Sequence, residues 1–209
     1  MQIVPRVSVY GNRVVLPVSD GYEAAATDLV SLIEKAHETY GTVILEDINA
    51  ILGGIPHLDL LRKVEKWDVW VDGGVRISEN VMDVLVAGGA KVVIGSKTLQ
   101  SFGELEDALK LTENIVFQID YCRRVLGRIA ARFRTVTQII EEAKRAGVET
   151  FIFMDNHCSP SPLEEARNLP VEVLRNLYVG ILSEKQEEEA EDYELKGIVV
   201  EALEAMPDE

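Results

Sequence analysis

The chain has 209 residues, and its 36 acidic and 21 basic side chains give it a net charge of −15 at pH 7. Phosphate backbones are bound by a surplus of Lys and Arg, so this balance argues against nucleic acid as a partner. No apolar run approaches the ~18 residues that span a bilayer, so no membrane segment is expected. The N-terminal sequence MQIVP lacks the basic leader of a secreted protein, and we therefore expect a cytoplasmic protein.

Strands and helices alternate along the first half of the chain, as judged from period-two and period-3.6 apolar patterns. The strands are predicted at residues 3–9, 42–45, 67–71 and 91–94, with an additional hairpin arm at 13–18. The helices are predicted at residues 22–40, 56–66, 78–87 and 104–112. Ser78 is a candidate N-cap of the third of these helices.

The same alternation continues through the second half. Strands are predicted at residues 114–119, 150–154, 175–179 and 196–200, with a hairpin arm at 125–131. Helices are predicted at 135–146, 160–168 and 183–192, followed by a helical stub at 201–206. Eight strands that alternate with helices favour a closed (β/α)8 TIM barrel, one α/β domain over residues 1–209. An open doubly wound sheet is the alternative, although no G-x-G-x-x-G motif follows the first strand.

The two halves of the chain resemble each other. VILEDINAILGG near Asp47 parallels FIFMDNHCSPSP near Asp155, and the spacing from Gly74 to Gly95 equals the spacing from Gly180 to Glu201. This similarity predicts two half-barrels, at about 1–112 and 113–209. Coincidental likeness between generic βα units is the alternative explanation.

The segment VWVDGGVRISENVMDVLVAGGAKVVIGSKTL places glycines after two consecutive strands. Glycine allows close approach of the backbone to a ligand, and the helix N-termini that follow attract anions. The predicted phosphate site consists of Gly73, Gly74, Arg76, Gly95 and Ser96. Tight turns required by barrel geometry are the alternative explanation for the glycines, and a solvated helix start is the alternative for Arg76.

Three aspartates follow predicted strands, at the end of a barrel where catalytic residues lie. Asp120 is the candidate acid or base, and Asp47 or Asp155 is its candidate partner; turn stabilisation is the alternative role for the latter two. Cys122, His157 and Cys158 also follow strands. A thiolate–imidazole pair, or a zinc site that includes Asp155, is the alternative there, although the spacing typical of such sites is missing. No metal site and no cofactor are predicted.

Several of these motifs are similar to those of the ProFAR isomerase family (phosphoribosylformimino aminoimidazole carboxamide ribotide isomerase). The matching segments are VP, G and VV in the first strand and hairpin, ED at 46–47, VDGGVRISE at 71–79, VVIGSKTL at 92–99, FQID at 117–120 and FMD at 153–155. The resemblance implies a two-half-barrel fold of the ribulose-phosphate-binding type and a substrate with a phosphate at each end. It also implies an aldose-to-ketose isomerisation by two aspartates, at the ends of strands one and five.

The chain departs from the family pattern at identifiable positions. Asp120 matches the strand-five aspartate, whereas Ser8 occupies the strand-one position, and a hydroxyl is a poor base at neutral pH. At the second phosphate site, Val179-Gly180 replaces a pair of glycines and Glu201 replaces another glycine. The C-terminus is also shorter than is usual in the family. These differences predict a divergent relative rather than the histidine-pathway isomerase itself.

The predicted function is therefore isomerase-type proton transfer on a small phosphorylated, sugar-like metabolite of a biosynthetic pathway other than histidine. Asp120, Asp47, Asp155 and Ser8 form the candidate catalytic set. The alternative is a non-catalytic relative that binds a phosphorylated ligand or a protein after loss of the acid/base pair, and a purely structural barrel is a third possibility. A homo-oligomer is also possible.

Overall fold

The computed structural model describes residues 1–18, 21–155, 162–180 and 184–206. Within these residues, eight parallel strands close into a barrel, because the first barrel strand pairs with both the second barrel strand and the last one. Helices follow the strands and flank the barrel. The predicted (β/α)8 TIM barrel is confirmed.

The barrel strands are β1 (Gln2–Tyr10), β4 (Val43–Asp47), β5 (Val69–Asp72), β6 (Lys91–Gly95), β7 (Ile115–Tyr121), β8 (Phe151–Asp155), β9 (Leu177–Gly180) and β10 (Gly197–Glu201). The strands outside the barrel are β2 (Arg13–Val18) and β3 (Gly21–Ala24). The helices are α1 (Leu29–Tyr40), α2 (Ile48–Ile51), α3 (Leu58–Val64), α4 (Glu79–Val86), α5 (Phe102–Leu111), α6 (Val136–Ala146), α7 (Pro162–Ala166), α8 (Val171–Leu174), α9 (Glu184–Ala190) and α10 (Ala202–Ala205), with a 3-10 helix at Ile129–Arg132. No described helix is long and apolar enough to cross a bilayer.

The barrel interior changes character along its axis. Its lower part is a small apolar cluster formed by Val4, Ile44, Trp70, Val93, Val116, Ile152, Met154, Tyr178 and Val199. Side chains of a strand alternate between the two faces, so residues two positions further along also point inward. On five of the strands these residues are polar or charged: Arg6, Glu46, Asp72, Gln118 and Glu201 are all buried. A charged layer therefore lies at the carboxyl ends of the strands, where TIM barrels carry their sites.

A β-hairpin extends the barrel wall beyond β1. β2 pairs antiparallel with the last residues of β1, with Ser8 opposite Val15, and β3 pairs with β2. The predicted arm at 13–18 is confirmed, whereas the predicted helix at 22–40 is wrong at its start. Residues 21–24 pair with β2, and the helix begins only after Asp28, whose carboxylate accepts the Ser31 N–H. Tyr22 stacks on Tyr10 with ring centroids 6.2 Å apart.

Two other local predictions hold only in part. Ser78 stands at the N-cap position of α4, but it has helical φ and ψ and its side chain makes no cap bond; its N–H donates to the Glu104 carboxylate. The predicted hairpin arm at 125–131 is reduced to a single bridge between Tyr121 and Val125, followed by the 3-10 helix. β7 also extends past the predicted strand end, which makes Asp120 part of the barrel wall.

Candidate functional site

A buried ion-pair network links three adjacent strands of the barrel: the last, the first and the second. The Arg6 guanidinium donates to the Glu201 carboxylate and lies 3.5 Å from Glu46 Oε2. Ser8 Oγ donates to the same Glu46 oxygen at 2.7 Å. Strand register brings these groups together, because Arg6 is opposite Glu201 and Ser8 is opposite Glu46. We call Arg6, Ser8, Glu46 and Glu201 the Arg6 network.

The electrostatics of the Arg6 network favour charge pairing. Burial alone lowers the pKa of Arg6, but the adjacent Glu46 and Glu201 carboxylates raise it more, so the guanidinium stays charged. Arg6 Nε is buried without a hydrogen-bond partner among the described residues. The two positions that depart from the family pattern, Ser8 and Glu201, are therefore linked to each other through Glu46 and Arg6.

Asp120 lies across the barrel from this network, at the inner face of β7. Its carboxylate accepts the Lys97 N–H at 3.0 Å, the Gln118 amide at 3.0 Å and the Ser96 hydroxyl at 3.4 Å. The Lys97 ammonium lies 3.8 Å from Oδ1. These donors and the cation complement a negatively charged carboxylate. The Lys97 side chain is 38% exposed while that of Asp120 is 2% exposed, so the lysine connects the buried carboxylate with solvent.

Asp72, which sequence analysis did not single out, ends β5 beside Asp120. Its Oδ1 accepts the Gly74 N–H at 3.0 Å. Burial, together with the charges of Glu46 and Asp120, raises the pKa of Asp72 to about 8. The carboxyl is therefore protonated at neutral pH.

Gly95 separates these two carboxyls on the inner face of β6. A Cβ at this position would lie 3.0 Å from Asp120 Oδ2 and 3.8 Å from Asp72 Oδ2. The absent side chain lets the two acids converge on the same point in the barrel. Like charges held this close in a buried site favour one protonated and one ionised carboxyl.

The structure brings the predicted phosphate-site residues to the ends of two paired strands, β5 and β6. Several of their donors already have partners within the protein. The Gly74 N–H donates to Asp72, the Ser96 N–H donates to the Gln118 carbonyl at 2.8 Å, and Ser96 Oγ accepts the Asp120 N–H at 2.9 Å.

Arg76 and the two consecutive glycines make close packing contacts. The Arg76 guanidinium donates to the carbonyls of Ala50, Ile51 and Gly74 at 2.7–3.0 Å. Gly74 has φ +63°, and a Cβ there would lie 2.5 Å from the Ala50 backbone. A Cβ at Gly73 would meet Val84 at 3.1 Å. These contacts join the turn after β5 to α2, so it is held rigidly.

The described part of the structure does not bring either of the other two predicted acids, Asp47 and Asp155, next to the Asp120 carboxylate. Asp47 caps α2 by accepting the Ala50 N–H, and it also accepts hydrogen bonds from the His57 N–H and ring. Its carboxylate therefore has structural partners outside the charged layer. Asp155 ends β8 opposite Tyr121, and its side chain lies outside the described part of the structure.

The alternative metal or thiolate site cannot be assembled from the described residues. His157 and Cys158 lie outside them, and the Cys122 N–H donates to the Arg124 carbonyl. Within the described ranges no group of three or more His, Cys, Asp or Glu side chains is arranged to hold a metal ion.

Sequence analysis missed Arg6, Glu46 and Asp72 as parts of the charged layer. The available signal was their spacing: each stands two positions after an apolar residue that faces the barrel interior, Val4, Ile44 and Trp70 respectively. Continuing the inward alternation to the strand ends would have identified all three.

Comparison with known proteins agrees with this architecture. A search of curated proteins gives no match. The sequence profile of the family described as "Histidine biosynthesis protein", the family of ProFAR isomerase-type barrels, matches residues 2–158, about three quarters of the chain. The chain therefore belongs to the histidine biosynthesis protein family.

Proposed function

We propose that this chain is an isomerase-type acid–base enzyme that acts on a small phosphorylated, sugar-like metabolite of a pathway other than histidine biosynthesis. The observation that carries the proposal is the pair of buried carboxyls, Asp72 and Asp120, which flank Gly95, together with the burial and neighbouring charges that raise the pKa of Asp72 to about 8. Pairs of acids whose environments separate their proton affinities are a frequent basis for acid and base roles.

The proposed roles follow from the contacts of each carboxyl. Asp120, surrounded by donors and the Lys97 ammonium, takes a proton from the carbon next to the substrate carbonyl. Asp72, protonated at neutral pH, gives its proton to the carbonyl oxygen, which yields an enediol. Return of a proton to the neighbouring carbon and loss of a hydroxyl proton to Asp72 complete an aldose–ketose isomerisation. Asp72 thus takes the place of the strand-one acid, where this chain has Ser8.

The substrate phosphate is proposed to bind at the ends of β5 and β6, near Gly73, Gly74, Gly95 and Ser96. Because the Gly74 N–H is bonded to Asp72, an anion must either take over this donor or accept a hydrogen bond from the protonated Asp72 carboxyl. An ionised Asp72 would repel the anion in the first arrangement and could not donate in the second. We therefore expect sulfate, a dianion at all the pH values used, to bind several-fold more tightly at pH 6 than at pH 9.5. Calorimetric titration measures this ratio. Asp72→Asn should remove the difference, and a ratio unchanged in that variant contradicts the phosphate assignment.

The catalytic proposal is tested by screening phosphorylated aldoses and aminoaldoses for isomerisation. Asp120→Asn and Asp72→Asn should each lower kcat by at least a hundredfold, the usual contribution of a positioned acid or base. Asp47→Asn is the matched control, because Asp47 is a buried aspartate that caps a helix outside the charged layer. Equal activity in all three variants rules out this acid–base pair.

A second candidate function is favoured by the Arg6 network. Ser8 and Glu201 both belong to it, and its three charged side chains are buried. This arrangement suits a non-catalytic relative that retains ligand binding alone. Such a protein would bind a phosphorylated ligand without turnover, and Asp120→Asn would leave that affinity unchanged.

The pathway assignment has its own test. Expression of the chain in a strain that lacks the histidine-pathway isomerase should fail to restore growth without histidine. Restored growth would show that Asp72 and Asp120 perform the family reaction itself and would refute the assignment to another pathway.

A further inference from the structure

A cleft of about 770 Å³ lies outside the barrel wall, between the segment that follows β7 and the end of α7. Its lining includes Tyr121, Arg123, Arg124, Phe133, Arg134 and Leu169. The volume is within the range of small-molecule sites. The cleft is separate from the acid pair, because Asp120 faces the barrel interior and the next residue, Tyr121, faces the outer layer.

The charge of this segment is opposite to that of the molecule. Residues 121–140 contain five arginines and no acidic residue, in a chain with a net charge of −15. The five are Arg123, Arg124, Arg128, Arg132 and Arg134, and all of them are exposed. A cluster of exposed basic side chains on an otherwise acidic protein creates a local positive potential, which attracts anions.

The arginines of the cleft also differ from other exposed arginines in their partners. Arg62, Arg145 and Arg175 each form an ion pair with a nearby carboxylate at 2.5–2.7 Å. Among the described residues, Arg123, Arg124 and Arg134 form no ion pair. The carboxylate that lines the cleft, Glu165, is engaged by the Tyr121 hydroxyl.

The remainder of the lining supplies an apolar surface and further donors. Phe133 and Leu169 are partly or fully buried against the core, and Asn168 adds an amide. The first turn of α6 also borders the cleft, where Val136 and Thr137 lie at the positive end of the helix dipole. Guanidinium groups above an apolar floor suit a ligand with phosphate groups at one end and a flat organic group at the other.

We propose that this cleft, which we call the arginine cleft, binds a nucleotide-sized organic phosphate, with the phosphates on Arg123, Arg124 and Arg134 and the apolar part against Phe133 and Leu169. The site does not depend on the acid pair, so its failure and the failure of the proposed isomerase activity are distinguishable. Guanidinium groups bind inorganic and organic phosphates alike, so the contribution of the ligand's apolar part to affinity distinguishes an organic phosphate site from an inorganic one.

Calorimetric titration of the full chain with ADP and with inorganic pyrophosphate tests the proposal. We expect ADP to bind at least tenfold more tightly than pyrophosphate, because only ADP covers the apolar floor. The combined variant Arg123→Gln, Arg124→Gln and Arg134→Gln should weaken ADP binding by at least thirtyfold. The control variant Arg62→Gln, Arg145→Gln and Arg175→Gln has the same net charge and should retain the original affinity.

Three outcomes would overturn the arginine cleft. The first is equal weakening in both triple variants, which would indicate general electrostatic attraction. The second is no heat of binding from ADP at millimolar concentration. The third is a single-stranded RNA oligonucleotide that binds more tightly than ADP with the same arginine dependence, which would assign the surface to a polymer.

Discussion

At the scale of single residues, the inside of the barrel contains ionisable side chains whose charge depends on burial and on neighbouring groups. Asp72 is the clearest case, since burial and two nearby carboxylates hold a proton on it at neutral pH. Sequence analysis identified Asp120 by its position after a strand, but it could not identify Asp72. The reason is physical: the pKa of Asp72 is raised by burial inside the barrel and by Glu46 and Asp120, which come from other strands, so all of these causes arise only when the sheet closes.

The first prediction concerns the pH dependence of stability at Asp72. The pKa rises from an ordinary value of 3.8 in the unfolded chain to about 8 in the folded one, so the folded protein binds the extra proton between these pH values. Stability contributed by this group therefore falls as pH rises from about 4 to about 8 and is constant above. Asp72→Asn removes this loss, and its gain in unfolding free energy should grow through that window to a few kcal/mol.

Urea unfolding at pH 5 and pH 9 measures the gain. Asp59→Asn is the control, since Asp59 is on the surface and 92% exposed. If the unfolding free energies of Asp72→Asn and of the original protein differ by the same amount at both pH values, Asp72 does not hold a proton at neutral pH in the folded protein.

At the scale of elements, the turn after β5 is held by backbone contacts that only glycine permits. Gly74 has positive φ and approaches the Ala50 backbone, while Arg76 binds carbonyls on both segments. The sequence alone predicted glycine turns at the correct strand ends. It could not decide between ligand binding and tight packing, because both demand a small residue, and the answer depends on α2, a four-residue helix too short to leave an apolar pattern.

We predict that Gly74→Ala destabilises the protein by at least 2 kcal/mol, because it combines left-handed strain with a backbone clash. Gly103→Ala is the matched control: Gly103 lies in the first turn of α5, its Cβ would meet only Ser101 Oγ at 3.6 Å, and alanine favours helix by up to about 1 kcal/mol. The two variants should move the thermal midpoint in opposite directions. A midpoint unchanged by Gly74→Ala would disprove the clash.

The start of the first helix shows where pattern reasoning fails at this scale. Residues 22–40 contain apolar side chains at helical spacing only from Leu29 onward, yet no glycine or proline interrupts residues 22–28. The strand at 21–24 forms because β2 offers a free edge above the barrel, which is a tertiary effect. Asp28 is a residue type that favours the N-cap position. Placing the helix start there, even though no glycine or proline precedes it, would have given the correct boundary.

At the scale of the whole molecule, the Arg6 network fastens the closing seam of the barrel. It joins β10, β1 and β4, the strands at which the sheet returns on itself. The closed fold was predictable from the count of eight strands alternating with helices. The network was not, since its partners are separated by 195 residues.

We predict that Arg6→Met destabilises the protein by about 3–5 kcal/mol, because it leaves the buried Glu46 and Glu201 carboxylates without a cation. Adding Glu46→Gln and Glu201→Gln to Arg6→Met should recover most of that loss. Chemical unfolding of the single and triple variants provides the measurement. A triple variant no more stable than Arg6→Met would mean that the arginine acts through packing and not through its charge.

The pairing of the first strand, β1, with the last strand, β10, has a consequence for synthesis on the ribosome. The edge of β1 that pairs with β10 in the finished barrel, at Gln2–Arg6, has no partner until Gly197–Glu201 has emerged. The nascent chain therefore exposes an unpaired strand edge for almost its entire translation. A chain interrupted before position 197 would keep that edge, together with the edge of β9, available to other molecules. We expect such fragments to aggregate and to depend on chaperones, whereas the complete ring, with both edges sealed, does not.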